Sequence, residues 1–252
     1  MTDRIDDTGF GGFRVIQGEG FRYGVDAVLL AAFAAGETGA AGIRRSRDPG
    51  PSIVDLGTGN GILPFILAHK IPESRITGIE VQEASFRRAC RGVELNGLQE
   101  RVAMIHADIA DLLRSGEVPE EERADAVVTN PPYFRRGAAI PSAGSEKETA
   151  RHETTAGLRE FLAFAAMLLN RGGDFYMVHR PSRLTDILTE MRAAGLEPKE
   201  LQMVVPRAGE AANIVLVHGI RGAGAELRIL PEIAVHGEGG TYTDLIRRIY
   251  ER

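Results

Sequence analysis

The strongest constraint on the fold is a regular alternation of short apolar runs with longer segments that have a helical period. Runs rich in Val and Ile are typical of buried strands, and helix-like segments separate most of them. Strands are predicted at 52–56, 75–80, 102–106, 124–129, 174–179, 200–205 and 213–219, and helices at 25–35, 62–70, 83–95, 158–169 and 183–194. Because parallel strands need crossover connections, this order predicts an α/β fold with a doubly wound, mostly parallel, seven-stranded Rossmann-like sheet.

Breaks rich in Gly and Pro divide the chain of 252 residues into three parts. We predict an N-terminal extension at 1–51, in which a helix precedes a mobile linker rich in Gly and Arg at 36–51. The Rossmann-like domain follows at 52–221. Residues 222–252 form a C-terminal extension of the same domain, with an extended piece and a short helix. A chain of this length can bury a substantial core.

Composition and charge exclude several classes of protein. The net charge of −5 argues against a globally basic nucleic-acid binder, although it leaves room for a local cationic patch. The longest apolar stretch is far short of the ~20 residues that span a bilayer, and the acidic N-terminus does not resemble a signal peptide. The single cysteine rules out an internal disulfide, and the scattered histidines lack the spacing of metal ligands. We therefore expect a cytoplasmic protein that binds neither metal nor membrane.

A glycine-rich turn follows the first strand of the predicted sheet. Gly57, Gly59 and Gly61 would let the backbone approach a ligand closely at the switch point of the sheet. The dinucleotide fingerprint GxGxxG/A requires Gly or Ala at position 62, where this chain has Ile62. The sequence also has no GKS or GKT, which excludes a P-loop. The sequence of the turn therefore favours a ligand other than NAD(P).

Two acids follow the next two strands at the same predicted edge. Glu80 ends the second strand, where a carboxylate is well placed to accept both hydrogen bonds of a ribose diol. Asp108 follows the third strand, where it can accept from an adenine amino group or cap the helix that begins at Ile109. Because the carboxyl ends of parallel strands meet at one edge, the turn and the two acids together indicate a nucleoside-bearing cofactor.

The sequence Asn130-Pro131-Pro132-Tyr133 follows the fourth strand. Its prolines fix φ and remove two N–H donors, which leaves a stiff loop whose carbonyls point outward as acceptors. The side-chain oxygen of Asn130 and the carbonyl of Pro131 can together accept both hydrogens of a planar amino group. Tyr133 can stack on the ring that carries this group. The loop therefore predicts a substrate with a planar –NH₂.

These motifs together resemble a known class of enzyme. The run VDLGTGNG at 54–61, with the two acids and NPPY, resembles the class I S-adenosylmethionine-dependent methyltransferases that modify amino groups. The flanking sequences at 20–31, 150–153, 178–181 and 240–243 resemble the bacterial tRNA adenine-N6 methyltransferases that modify adenosine next to the anticodon of a valine tRNA. The resemblance implies S-adenosylmethionine as the cofactor and tRNA as the partner. It implies cofactor contacts from Asp55, Gly57, Gly59, Glu80, Asp108, Ile109 and Asn130.

The predicted reaction needs positioning more than a strong base, because the sulfonium methyl is already activated. Accepting both N–H bonds of adenine with Asn130 and Pro131 favours the pyramidal transition state over the planar ground state. The target base must leave its stack, and Tyr133 with Phe134 would hold it. The side chains predicted to contact RNA are Arg22, Phe134, Arg135, Arg136, Arg151 and Arg180.

Several other functions remain open at this stage. A glutamine-N5 methyltransferase of release factors would present a planar amide to the same loop. Such enzymes, however, carry a helical domain ahead of the turn, and here only 54 residues precede Asp55, many of them Gly and Arg. An rRNA guanine-N2 methyltransferase and a small-molecule O- or N-methyltransferase are further alternatives. A cofactor-binding RNA module without catalysis is disfavoured by the intact Asn130.

Overall fold

The fold is described by a computed structural model for residues 3–18, 24–44, 50–116, 118, 123–132 and 156–251. Its strands are β1 (Arg4–Asp7), β2 (Arg14–Gln17), β3 (Ser52–Leu56), β4 (Arg75–Glu80), β5 (Val102–His106), β6 (Ala124–Thr129), β7 (Leu169–His179), β8 (Leu196–Arg207), β9 (Ile214–Arg221) and β10 (Arg228–His236). Its α-helices are α1 (Val25–Ala34), α2 (Ile62–Lys70), α3 (Glu83–Leu95), α4 (Ile109–Ser115), α5 (Leu158–Leu168), α6 (Leu184–Ala193) and α7 (Asp244–Ile249).

Eight strands form the central sheet in the order β10-β8-β9-β7-β6-β3-β4-β5, while β1 and β2 form a separate hairpin. Every neighbouring pair in the central sheet is parallel except those of β9, which runs antiparallel to β7 and β8. The predicted α/β fold class is confirmed. The sheet has one strand more than the seven expected, because Leu230 and Ile233 of β10 are buried and this strand pairs with β8 as a new edge.

Helices cover both faces of the central sheet, as the doubly wound prediction required. On one face α1, α2 and α7 pack in a core with Val93 of α3. On the other face α4, α5 and α6 pack in a second core. Helix α1 lies deep in the first core, where all residues from Ala27 to Ala34 are buried. Because no side of this stretch faces solvent, its sequence is apolar all round and shows no amphipathic pattern. Within the described ranges, no helix is both long and apolar enough for a membrane span.

The segment after α1 packs onto the sheet and is not a mobile linker over residues 36–44. Ile43 is buried, and its N–H donates to the carbonyl of Ala34 at 2.8 Å. The carbonyl of Ala41 accepts from the Tyr176 hydroxyl at 2.7 Å, and its N–H donates to Glu200 at 2.8 Å. The prediction of a mobile linker is therefore wrong for this part, because buried sheet side chains bond its backbone. Residues 45–49 lie outside the described residues.

One buried lysine joins the two ends of the chain to the core. The side chain of Lys70, at the end of α2, is only 1% exposed. Its ammonium donates to Glu37 at 2.7 Å and to the carbonyl of Ile249 at 3.2 Å, and lies 5.0 Å from the centre of the Phe10 ring. Phe10 belongs to the β1–β2 hairpin and Ile249 to α7. Partners from three separate segments thus offset the free-energy cost of burying this one ammonium group.

Replacing Lys70 with Ala should lower the free energy of unfolding by about 2–3 kcal/mol, because it removes buried hydrogen bonds and leaves a carbonyl unpaired. Lys70→Met should lose less, since it keeps the packing of the stem. Arg87→Ala is the control, because its ion pair with Glu83 is exposed and should contribute under about 0.5 kcal/mol. Urea unfolding measures all three. Equal losses at positions 70 and 87 would contradict the account of Lys70.

Candidate active site

The parallel strands β4, β3 and β6 bring six of the nine predicted site residues that the structure describes to one edge of the sheet. Leu56, the last residue of β3, pairs with Ile79 of β4 on one side and with Thr129 of β6 on the other. The Thr129 hydroxyl donates to the carbonyl of Leu56 at 2.8 Å and ties the two strand ends together. The turn after β3, the acid that ends β4 and the loop after β6 therefore start side by side.

The turn after β3 is fixed by hydrogen bonds from its own backbone. The N–H groups of Gly57 and Thr58 both donate to the carbonyl of Ile79, at 2.9 and 3.0 Å. The N–H of Gly59 donates to Oε2 of Glu80 at 2.7 Å. Gly59 has a φ of +58°, and a Cβ there would meet no atom within 4 Å. The turn thus adopts a left-handed conformation that suits glycine and leaves open space above its backbone.

Glu80 combines the predicted position with a structural role that the sequence did not indicate. Its Oε1 accepts from the N–H of Gln82 at 2.7 Å, while its Oε2 accepts from Gly59. The residue is buried, and this burial raises the pKa of its carboxyl. Each carboxylate oxygen has a second acceptor position, so Glu80 can hold the turn and still accept from a diol. Ribose binding by Glu80 stays a prediction.

Asp55 is a buried acid directly before the turn, with a relative exposure of 1%. Its Oδ2 is buried and has no hydrogen-bond partner among the described residues. Removal from water raises the pKa of Asp55 to about 7. A buried carboxylate oxygen without a hydrogen bond costs free energy, which a cation or a donor from a ligand would recover. Asp55 therefore fits a cofactor that carries positive charge.

Asp108 caps α4, as one of its two sequence interpretations expected. Its Oδ1 accepts from the N–H of Ala110 at 2.8 Å. Ile109, next to it, is buried in the second core. Contacts of Asp108 and Ile109 with an adenine ring stay predictions.

A histidine beside Glu80 was not among the predicted site residues. Nε2 of His106 lies 2.9 Å from the carbonyl oxygen of Val81, and its ring stacks on Phe86 with 5.1 Å between the ring centres. This contact fixes the backbone that leads from Glu80 to Gln82. From the sequence, the histidines were tested only against the spacing of metal ligands. The signal available was the place of His106 at the end of a strand that pairs with the one ending in Glu80.

The Asn-Pro-Pro-Tyr loop, which was predicted to bind a planar amino group, begins directly after β6. Asn130 is half-buried and Pro131 is buried. Arg180 is exposed at the end of the neighbouring β7, where its N–H donates to Nδ1 of His179 at 2.8 Å. Desolvation, with Arg183 nearby, lowers the pKa of His179 to about 4, so this imidazole is neutral at physiological pH. Other predicted residues lie outside the described ones: Tyr133, Phe134, Arg22, Arg135, Arg136 and Arg151.

An open glycine turn, two strand-end acids and the Asn130-Pro131 pair lie on one edge of a doubly wound sheet, which is the arrangement expected of a class I methyltransferase. A family model for the methyltransferase small domain matches residues 45–192, and the chain belongs to this family. The predicted class of enzyme and S-adenosylmethionine as its cofactor are thereby confirmed. The unpartnered oxygen of Asp55 and the open space at Gly59 fit this cationic cofactor.

Curated relatives share a more specific name. The chain is similar to the tRNA1(Val) (adenine(37)-N6)-methyltransferase of Bacteroides thetaiotaomicron, with 25% identity over 91% of this chain and 90% of the relative. The protein of that name from Aeromonas hydrophila is 28% identical over 88% of this chain and 86% of its own. The one from Porphyromonas gingivalis is 30% identical over 66% of this chain, and the match spans only 61% of that relative.

Solved structures support the fold. A predicted O-methyltransferase from Agrobacterium tumefaciens superposes with a TM-score of 0.69 at 22% identity, over 90% of this chain and 95% of that one. The 16S rRNA N2 G1207 methyltransferase of T. thermophilus, in complex with AdoMet and guanosine, has a TM-score of 0.54 at 21% identity. That match covers 87% of this chain and 50% of the other. At these identities the likeness shows the fold alone.

Asp55→Asn should make the ligand-free protein more stable at high pH and weaken its cofactor binding. The pKa of Asp55 is raised from 3.8 to about 7, so the folded protein holds a proton that the unfolded chain has lost. Wild-type stability therefore falls as pH rises from about 4 to 7, and above pH 7 the full cost of the buried charge is present. The amide removes this cost, so the variant should exceed wild type by about 1 kcal/mol or more at pH 8, and by much less at pH 4.

Urea unfolding at the two pH values measures the stability change, and calorimetry with S-adenosylhomocysteine measures affinity, which should fall about tenfold or more. Asp244→Asn is the matched control, because this carboxylate is exposed at the start of α7, so the change should leave both stability and affinity nearly unaltered. A variant Asp55→Asn that binds as tightly as wild type would contradict the role of this carboxylate.

Proposed function

We propose that the protein transfers a methyl group from S-adenosylmethionine to the exocyclic N6 of an adenine in the anticodon loop of a valine tRNA. The observation that carries the proposal is the placement of Asn130 and Pro131, two acceptors at the start of a stiff loop beside the cofactor turn. Relatives that match about nine-tenths of this chain carry the corresponding name, which supports the choice of substrate. A tRNA substrate would place the enzyme in the cytoplasm.

The two acceptors at the start of the loop would make the adenine amino group a better nucleophile. Bound S-adenosylmethionine supplies a methyl group activated by its positively charged sulfur. The exocyclic nitrogen of adenine is a poor nucleophile, because its lone pair is delocalised into the ring. The Asn130 side-chain oxygen and the Pro131 carbonyl would accept its two N–H bonds, and these bonds strengthen as the nitrogen becomes pyramidal and cationic. After transfer the nitrogen is acidic and loses its proton to water.

Access to a base in tRNA requires the base to leave its stack. We assign Tyr133 and Phe134 to holding the displaced ring by stacking. Phosphate contacts would hold the RNA against a protein of net charge −5, and the proposed contacts are Arg22, Arg135, Arg136, Arg151 and Arg180. Arg180 is exposed on the strand next to the loop, at the same edge as Asn130.

An unmodified valine tRNA transcript tests the substrate directly. Incubation with the protein and isotope-labelled S-adenosylmethionine, followed by nucleoside mass spectrometry, should show labelled N6-methyladenosine. The value of kcat/KM should fall steeply with salt, because phosphate contacts release counterions. Methylation of guanosine in rRNA, of a release-factor peptide or of a free small molecule, with tRNA inert, would overturn the proposal.

Asn130→Ala should separate catalysis from cofactor binding. Removal of an acceptor that acts in the transition state should lower kcat by roughly 10²-fold or more, with little change in affinity for S-adenosylhomocysteine. Asn170→Ala is a matched control, since Asn170 contacts Asp125 at the opposite end of β6 at 3.3 Å and should leave kcat unchanged. Single-turnover kinetics and calorimetry measure the two effects. An unchanged kcat in Asn130→Ala would refute the proposed role.

A further inference from the structure

The hairpin formed by β1 and β2 lies outside the central sheet, and an asparagine side chain bonds each end of its second strand to the rest of the fold. At the start of β2 the side chain of Asn96 accepts from the N–H of Arg14 at 2.8 Å and donates to its carbonyl at 2.7 Å. At the end of β2 the side-chain amide of Asn60 donates to the carbonyl of Ile16 at 3.2 Å. The first attachment is to the end of α3, and the second is to the cofactor turn itself.

Asn60 stands at the centre of that turn. Its two neighbours, Gly59 and Gly61, have φ values of +58° and +85°, so the backbone on both sides of Asn60 is left-handed. Asn60 is buried, and its side chain is the hydrogen-bonded link between the turn and Ile16. The N–H of Gly59 is held on the other side by Glu80. The hairpin and Glu80 therefore each bond one of two adjacent residues of the turn.

The hairpin has enough internal structure to act as a unit. Val15, Ile16 and Gln17 are all buried, and the amide of Gln17 donates to the carboxylate of Asp6 on the paired strand. The register runs from Arg4 opposite Gln17 to Asp7 opposite Arg14. Loss of the Asn60 bond would therefore change how β2 meets the turn, while the hairpin itself keeps its pairing and its attachment at Asn96.

We propose that Asn60 is a positioning residue that couples the docking of the β1–β2 hairpin to the binding of the cofactor. A cofactor that binds the turn selects the conformation in which Asn60 donates to Ile16, and docking of the hairpin favours the same conformation. By linkage the two effects are equal and reciprocal. The inference rests on the cofactor site of the proposed function and is independent of the tRNA substrate.

Two variants test the bond. Asn60→Ala removes the side chain, and Asn60→Leu keeps a similar size and shape but has no N–H to donate to a carbonyl. Each should raise the Kd for S-adenosylhomocysteine by about three- to tenfold, the effect of one lost hydrogen bond. In the wild type, this ligand should slow hydrogen exchange at the amides of β2, and in both variants most of that slowing should be lost. Asn96→Ala removes the two bonds at the other end of β2 and is the matched control, with an expected change in Kd below about twofold.

The outcomes separate the bond at Asn60 from general support by the hairpin. If Asn60→Ala binds as tightly as wild type, or if the ligand slows exchange in β2 equally in both, the inference is overturned. It is also overturned if Asn96→Ala loses as much affinity as Asn60→Ala, since docking in general would then explain the effect. Because every measurement uses S-adenosylhomocysteine and no RNA, failure of the proposed tRNA substrate would not alter these outcomes.

Discussion

The hydrogen bond from the Gly59 N–H to the Glu80 carboxylate, 2.7 Å long, holds the cofactor turn to the end of the neighbouring strand. With the second carboxylate oxygen on Gln82, it fixes the backbone on both sides of the strand ends. The parallel pairing of β3 with β4 and β6 then determines where Asp55 and Asn130 stand relative to that turn. This arrangement is the one expected of a nucleoside site, because an open backbone and strand-end acceptors lie at the same edge.

The same edge contains groups that reduce the stability of the fold and serve binding. The buried carboxylate of Asp55, with one oxygen lacking a partner among the described residues, is costly in the free protein and useful once a cation binds. By contrast, the buried imidazole of His218 lies 3.0 Å from Asp174 and 3.2 Å from Glu200, and is fully paired. That cluster supports the packing of residues 36–44. The difference in pairing distinguishes a site built for a ligand from one built for the fold.

Periodicity was sufficient for seven of the eight strands of the central sheet, because Val- and Ile-rich runs and helical segments alternate regularly. Periodicity was insufficient for elements whose position or bounds depend on contacts between residues distant in sequence. The hairpin strands have only four residues each, and their place depends on Asn60 and Asn96, which are distant in sequence. Strand β7 begins at Leu169, five residues earlier than predicted, because Leu169 pairs with Ala124 of β6 ahead of a shift in the register of the two strands. The site residues were predictable as strand ends, whereas the double role of Glu80 depends on a fold-level contact.

The central claim is that this edge of the sheet binds S-adenosylmethionine and not a dinucleotide. Titration calorimetry of the purified protein with S-adenosylhomocysteine and, in parallel, with NAD tests it most directly. Saturable one-to-one binding of S-adenosylhomocysteine and no heat from NAD are predicted, since Ile62 stands where the dinucleotide fingerprint needs Gly or Ala. Binding of NAD without binding of S-adenosylhomocysteine would contradict the account.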